Sequence, residues 1–201
     1  MAFIGGKGPP FDADFSLLPP FKRVFGADSG VQKALCLGFS VDFAIGDFDS
    51  LDDLSVLKKI EHIKLPREKD ITDTEALLDL LTKQQFDSYV LLGGGEGRFD
   101  HLIHLYSLFA RYMPPLLWMT DQEIIYLAKN TFFLDSHLGR TISFLPATLA
   151  GSSVVSSTGL QWELNSYPIS ATSHSISNTI VDQRMKLVVQ GAPVFVSLPF
   201  K

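Results

Sequence analysis

Thirteen consecutive residues, Val41 to Asp53, carry five aspartates and neither lysine nor arginine. Carboxylates at this density do chemistry with cations. Like charges about 4 Å apart repel by roughly 4 kcal/mol at an effective dielectric of 20, so a converging pair needs a metal ion, a proton or water between its members. Asp47 and Asp49 are the pair of interest. Two residues apart, they project from one side of an extended chain just beyond the apolar run Phe43-Ala44-Ile45, where α/β sheets place ligand sites. The alternative is that Asp49-Ser50 caps the next helix while Asp47 is solvated. Asp28, in Ala27-Asp28-Ser29-Gly30, and Asp73, in Asp70-Ile71-Thr72-Asp73, stand at two further turns; Asp73 in a helix's first turn would also suit the helix dipole. In a parallel sheet these turns share one edge, so Asp28, Asp47, Asp49 and Asp73 can converge on one hard divalent cation, and Mg²⁺ suits such oxygen ligands.

The opposite charge comes from Gly93-Gly94-Gly95-Glu96-Gly97-Arg98. Its glycines allow close backbone approach, and its amides and guanidinium can meet an anion at a helix N-terminus, as a phosphate chain requires. The loop is not a Walker A motif, and neither is Gly5-Gly6-Lys7-Gly8; with Arg98 at the sixth position it is not Gly-x-Gly-x-x-Gly either. A glycine loop can also simply turn the chain, and His101 can be an ordinary helix-start histidine. No Ser-His-Asp or Cys-His arrangement offers a covalent nucleophile.

Such residues need a frame. From residue 21 to about 112, short apolar runs alternate with helical patterns, as in a parallel sheet with crossover helices. Strands are expected at Val24–Ala27, Phe43–Ile45, His62–Leu65 and Tyr89–Leu92, and helices near Gly30–Leu37, Asp52–Ile60 and Asp100–Tyr112, the last stopped by Pro114-Pro115. Thr72-Asp73-Thr74-Glu75 has capping-box spacing, and Leu77, Leu80 and Leu81 continue it as a helical stripe. After Pro115 strand-like runs take over, at Leu116–Met119, Glu123–Leu127, Thr131–Leu134, Thr141–Leu145, Met185–Val189 and Val194–Leu198. The expected organisation is a parallel, Rossmann-like α/β domain, residues 1–118, followed by an all-β sandwich domain, residues 119–201.

Composition narrows the partners. The chain has 201 residues and a net charge of -5, without the Lys/Arg clusters of a nucleic-acid surface. No run approaches the ~18 to 20 apolar residues of a membrane span. The single cysteine, Cys36, cannot form an internal disulfide, and the N-terminus meets Gly and Pro before a signal-length apolar region. A cytoplasmic protein is expected, with neither nucleic acid nor membrane as partner.

Taken together, Ala27-Asp28-Ser29-Gly30, Gly46-Asp47-Phe48-Asp49-Ser50, Asp70-Ile71-Thr72-Asp73 and Gly93 to His101 resemble, in order and spacing, the motifs of the thiamine pyrophosphokinase family. Gly159-Leu160-Gln161-Trp162-Glu163-Leu164 and Ser175-Ile176-Ser177-Asn178-Thr179 are similar to its C-terminal segments. The resemblance implies a thiamine hydroxyl attacking the β-phosphorus of ATP, with AMP released, in a homodimer whose thiamine lies where subunits meet. It implies Mg²⁺ on Asp47, Asp49 and Asp73 with Asp28 close by, and a catalytic set completed by Arg98 and Asp100. Ser29, Asp70, Thr72, Gly94, Gly97 and His101 would join Asp28 and Arg98 in binding ATP. Trp162, Ser175, Ser177 and Asn178 would bind thiamine, the Ser and Asn by hydrogen bonds to its pyrimidine; Trp162 reads equally well as a sandwich-core aromatic. Alternatives are pyrophosphate transfer to another alcohol, such as a hydroxymethylpterin, and non-enzymatic binding of nucleotide or thiamine. Three residues depart from the pattern. Ser29 replaces a glycine, Gln32 an asparagine, and Glu96 a small residue; a carboxylate at 96 would repel phosphates unless it turned outward or met the metal.

Overall fold

The computed structural model describes residues 1–10, 12–95 and 97–200. The chain forms two compact units: Met1–Leu108 with Pro115–Asp121, and Phe109–Pro114 with Gln122–Lys201.

The first unit is built on six parallel strands: β1 (Ala2–Phe3), β2 (Phe25–Ala27), β3 (Phe43–Gly46), β4 (Glu61–Lys64), β5 (Val90–Leu92) and β6 (Leu117–Met119). Their order is β6-β5-β1-β2-β3-β4, with every neighbouring pair parallel. Helices α1 (Ser29–Cys36), α2 (Asp73–Lys83) and α3 (Phe99–Leu108) follow β2, β4 and β5. The apolar runs of β2, β3, β5 and β6 are buried throughout, as expected of parallel strands covered on both faces. By contrast, all four residues of the edge strand β4 are exposed, and its Glu61 and Lys64 discourage edge pairing.

β1 has no counterpart among the expected strands. Two residues carry no readable period, yet Ala2 is 0% and Phe3 1% exposed between β2 and β5. This placement matters, because the chain runs outward from β1 through β4 and then returns to β5. The order therefore reverses between β1 and β5, the kind of switch point where open α/β sheets hold ligands.

Two other local expectations change. Leu54–Lys59 forms a 3-10 turn rather than an α-helix, and its N-cap is Asp53, whose side chain accepts from Ser55 N. The Asp49-Ser50 cap is thereby excluded. α3 ends at Leu108, short of Tyr112, and Phe109 belongs to the second unit, where its ring meets Phe195 edge-on at 5.8 Å. α1 and α2 follow their signals closely. Gly38 takes φ +81 just after α1, and the Thr72 hydroxyl accepts from Glu75 N at 3.1 Å to start α2.

The second unit contains two antiparallel four-stranded sheets. One runs β12 (Ser175–Thr179), β9 (Thr141–Pro146), β14 (Val194–Pro199), β7 (Glu123–Ala128). The other runs β11 (Tyr167–Ile169), β10 (Ser153–Thr158), β13 (Arg184–Gly191), β8 (Thr131–Asp135). Alternation buries one face of an inner strand in each sheet: Ile142, Phe144 and Pro146 from β9, and Met185, Leu187 and Val189 from β13. β10, β11 and β12 lie in the Ser/Thr-rich stretch, where hydroxyl residues on both faces conceal the two-residue period. No helix among the described residues is long and apolar enough to cross a membrane.

Candidate active site

The C-terminal ends of the parallel strands surround a cavity of about 460 Å³, with Gly5 and Gly6 after β1, Asp28 after β2, Asp73 at the start of α2, and Gly94 and Arg98 after β5 among its lining residues. Carboxylate oxygens of Asp28, Asp47 and Asp49 all lie within 4.8 Å of one another. Two unusual backbone turns bring them there. Asp28 takes φ 46, and its side chain makes no helix-capping bond. Gly46 makes room for that turn, since a Cβ there would sit 3.1 Å from Asp28 N. Phe48 takes φ 61 and is 2% exposed, with its ring edge-on to His62. Asp47 and Asp49 thus flank a left-handed residue anchored in the core, rather than alternating along an extended chain. Backbone strain at two neighbouring turns is a cost typical of functional sites.

Asp28 Oδ1 is buried and has no hydrogen-bond partner among the described residues. An orphaned carboxylate oxygen beside two further carboxylates is a donor set suited to a small hard cation. Asp73, expected as the third ligand, is tied to this group through Lys69, whose Nζ lies 2.9 Å from Asp47 Oδ2 and 3.2 Å from Asp73 Oδ1. Arg67 pairs with Asp49 at 2.7 Å. The Lys69 hydrogen bond holds the Asp47 carboxyl below the usual carboxylate range, whereas burial pushes Asp73 upward against the pull of Lys69. For Lys69 itself burial works downward, but its bonds to both aspartates prevail and its pKa is raised.

The glycine loop works differently from expectation. Gly93, Gly94 and Gly95 donate their amides to Met119 O, Gly5 O and Lys7 O, at 3.0, 2.8 and 2.9 Å, and so are not available to cradle phosphate. Lys7 N returns a bond to Gly95 O at 2.6 Å, which stitches the two glycine segments together. The glycines serve close approach: a Cβ on Gly93 would lie 2.5 Å from Ile4 O. Lys33 fixes the same N-terminal segment by donating to Ile4 O and Gly6 O, and burial pushes its ammonium down to about 8, with Asp28 acting the other way. Arg98 is held by Asp100, Nε to Oδ1 at 3.1 Å and NH2 to Oδ2 at 2.5 Å, and both side chains are exposed.

Of the other expected nucleotide-site residues, Gly97, Thr72 and His101 line the cavity, whereas Ser29 and Asp70 do not. Glu96 lies outside the described residues. Sequence reasoning missed Lys69, Arg67, Lys33 and the Gly5-Gly6 segment. A signal existed for Lys69, which stands four residues before Asp73, an ion-pairing interval on a helix. It also missed His104, whose Nε2 lies 3.4 Å from Thr72 Oγ1 and 3.8 Å from Glu75 Oε2, at the cavity wall.

In the second unit Trp162 is 58% exposed, which corrects the reading of it as a sandwich-core aromatic. Its loop is closed by neighbours. Glu163 accepts from Gly159 N at 2.7 Å and Leu160 N at 3.1 Å. Asn178, 2% exposed, accepts from Trp162 N at 3.2 Å and Thr179 N at 2.8 Å and donates to Trp162 O at 2.7 Å. The carboxamide is therefore largely committed to holding the Trp162 backbone, and little of it remains for a ligand. A register shift in β12 separates Ser175, half-buried, from Asn178, and Ser177 within it is exposed, with φ 56 and its amide bonded to Ser143 Oγ at 3.0 Å.

Comparisons with known proteins agree across both units. Residues 16–117 match the family model of the thiamin pyrophosphokinase catalytic domain, and residues 129–191 that of the thiamin pyrophosphokinase vitamin B1 binding domain. Thiamin pyrophosphokinase 1 of Caenorhabditis elegans is 28% identical over 131 residues, 59% of this chain and 54% of that protein. The match thus spans about half the length of that relative. The fold resembles the crystal structure of thiamine pyrophosphokinase from Bacillus subtilis, at TM-score 0.75 and 22% identity over 98% of this chain and 97% of that one. It also resembles a thiamin pyrophosphokinase family protein from Enterococcus faecalis, at TM-score 0.76 and 20% identity over 100% and 98% of the two chains. Yeast thiamin pyrophosphokinase gives TM-score 0.68 at 19% identity over 99% and 85%.

Proposed function

Since the chain belongs to the thiamin pyrophosphokinase family, we propose that it transfers the pyrophosphoryl group of ATP to the hydroxyl of thiamine, giving thiamine diphosphate and AMP. The observation that carries this reading is the convergence of Asp28, Asp47 and Asp49 within 4.8 Å, at the C-terminal edge of the parallel sheet just after β2 and β3. Residues 1–118 are the nucleotide-handling half and residues 119–201 the thiamine-handling half. The working form is a cytoplasmic homodimer in which both subunits contribute to each thiamine site.

Mg²⁺ fits the all-oxygen set: Asp47, Asp49 and Asp73 would hold it, with Asp28 beside them. When bound, the ion neutralises phosphate charge and orients the polyphosphate. The rest is positioning. The hydroxyl oxygen forms a bond to the β-phosphorus and gives up its proton to water, while the bond from the β-phosphorus to the α–β bridging oxygen breaks and AMP departs with that oxygen and its electron pair. Arg98 exchanges Asp100 for the transferred group, a step open to it because both side chains are exposed. The Gly5–Gly94 and Lys7–Gly95 bonds hold the cavity floor behind the phosphates, and Thr72, Gly94, Gly97 and His101 supply its walls. Trp162 offers thiamine an aromatic face, with Ser175 and Ser177 nearby and Asn178 fixing the loop.

The test is incubation with ATP, Mg²⁺ and thiamine, with products identified by mass spectrometry. Thiamine diphosphate and AMP are expected in equal amounts. ADP with thiamine monophosphate would refute the transfer, and absence of turnover with thiamine and other alcohols would favour a binding protein.

A further inference from the structure

Lys69 occupies a position that the proposed reaction leaves unexplained. It precedes α2, its side chain is 12% exposed, and its ammonium donates to Asp47 Oδ2 at 2.9 Å and Pro66 O at 3.2 Å and forms an ion pair with Asp73 Oδ1 at 3.2 Å. It therefore clamps the turn after β3 to the first turn of α2. Asp47 and Asp73 are two of the carboxylates assigned to the divalent ion, so an ammonium already stands between groups the ion requires. Arg67 reaches Asp49 in the same way, but its side chain is 81% exposed, and a pair so exposed exchanges with water readily. Lys69 is the cation that must be dealt with.

A divalent ion and an ammonium cannot share Asp47 and Asp73 without strong repulsion in a partly buried site. A nucleotide relieves the conflict, because its polyphosphate brings negative charge in excess of what the ion neutralises. We propose that Lys69 is an exchangeable counter-cation: it neutralises Asp47 and Asp73 in the ligand-free protein, and it transfers to the phosphate chain when metal and nucleotide arrive together. The inference rests on the proposed nucleotide-and-metal reading of the site. It makes the protein bind the bare ion poorly and the ion–nucleotide complex well, so the carboxylates are not occupied by metal without substrate.

The consequence is a change of sign. Lys69→Met and Lys69→Gln remove the competitor, and without nucleotide both bind Mn²⁺ about tenfold more tightly than the unmodified protein. With α,β-methylene ATP present, where the ammonium is needed by the phosphates, the same variants bind Mn²⁺–nucleotide about tenfold more weakly. Lys69→Arg keeps the charge and stays near the parent in both conditions. Mn²⁺ binding is read by electron paramagnetic resonance of the free ion, with circular dichroism confirming that each variant is folded; Gln retains polar contact with the aspartates and Met does not. Weakening in both conditions would make Lys69 a structural clamp and overturn the exchange, and so would affinities that do not change. Failure of the unmodified protein to bind Mn²⁺ even with the nucleotide analogue would overturn the metal reading itself, a result separable from the other two.

Discussion

Gly30 lies in the first turn of α1, where alanine would ordinarily stabilise a helix by about 1 kcal/mol. Here a Cβ would stand 2.3 Å from Phe3 O, 2.5 Å from Phe3 C and 2.8 Å from Ile4 N. All three are backbone atoms of β1 and its exit, and β1 is hydrogen-bonded on both sides, so they cannot swing aside as a flexible side chain would. Restoring ordinary contact requires the helix to retreat by roughly 1 Å, and overpacking of that kind costs about 1 to 3 kcal/mol, occasionally more. Contacts this short put the cost at the upper end of that range, so after the propensity gain of about 1 kcal/mol a net loss of up to about 2 kcal/mol remains, which lowers the melting temperature of a chain this size by up to about 4 to 8 °C. The retreat also carries Asp28, the residue at the helix N-cap, away from Asp47 and Asp49. Thermal denaturation of Gly30→Ala should therefore show the loss, and Mn²⁺ affinity in the presence of nucleotide should fall with it. Gly38→Ala is the control. At φ +81 with nothing within 4 Å of its Cβ, it pays about 1 kcal/mol of backbone strain but leaves metal binding unchanged. A Gly30→Ala protein as stable as its parent, with full metal affinity, would refute the close-approach reasoning.

Asp49→Asn removes a carboxylate whose ion pair among the described residues is to the exposed Arg67, so it should keep the melting temperature within about 2 °C while turnover drops by about 100-fold or more, with Mn²⁺ affinity falling in parallel. Asn178→Ala leaves Trp162 N, Trp162 O and Thr179 N without their buried partner and should destabilise the protein by about 1 to 3 kcal/mol; a rise in KM for thiamine, with KM for ATP unchanged, is the accompanying kinetic result. Lys33 sets a pH dependence. Its folded-state pKa is lowered to about 8 from 10.5, so between those values the unfolded chain binds the extra proton and stability rises with pH. Urea denaturation at pH 7.5 and pH 10 should show the parent gaining stability relative to Lys33→Met; an equal difference at both pH values would contradict the assignment.

What could be read from the residues alone follows from how local each signal is. The Thr72–Glu75 cap, the apolar run at Val90–Leu92 and the glycine after α1 are decided within a few residues, and they stand where their patterns put them. β1 was illegible because a two-residue strand has no period; only its burial between β2 and β5 reveals it. β10 to β12 were hidden because Ser and Thr serve either face of a sheet. At the site, residue types pointed to the carboxylates, but their grouping depends on left-handed turns at Asp28 and Phe48, which spacing does not encode. The glycine amides were misjudged for a related reason. The partners of Gly94 and Gly95 lie some ninety residues away in sequence, at Gly5 and Lys7, and only the adjacency of β1 and β5 brings them together. Trp162 needed the same long-range information, since its exposure depends on Asn178 and Glu163 closing the loop from either side.

The central claim is that the group transferred is the pyrophosphoryl unit, taken by attack at the β-phosphorus, and two ATP analogues test it directly. Attack there breaks the linkage between the α- and β-phosphorus and leaves the β–γ linkage whole. With thiamine and Mg²⁺, β,γ-methylene ATP should therefore yield AMP and thiamine bearing a methylene-bridged diphosphoryl group, detected by mass spectrometry, while α,β-methylene ATP should bind and stay intact. The reverse pattern, turnover of α,β-methylene ATP to thiamine monophosphate with β,γ-methylene ATP inert, would mean that the terminal phosphoryl group moves instead and would contradict the account.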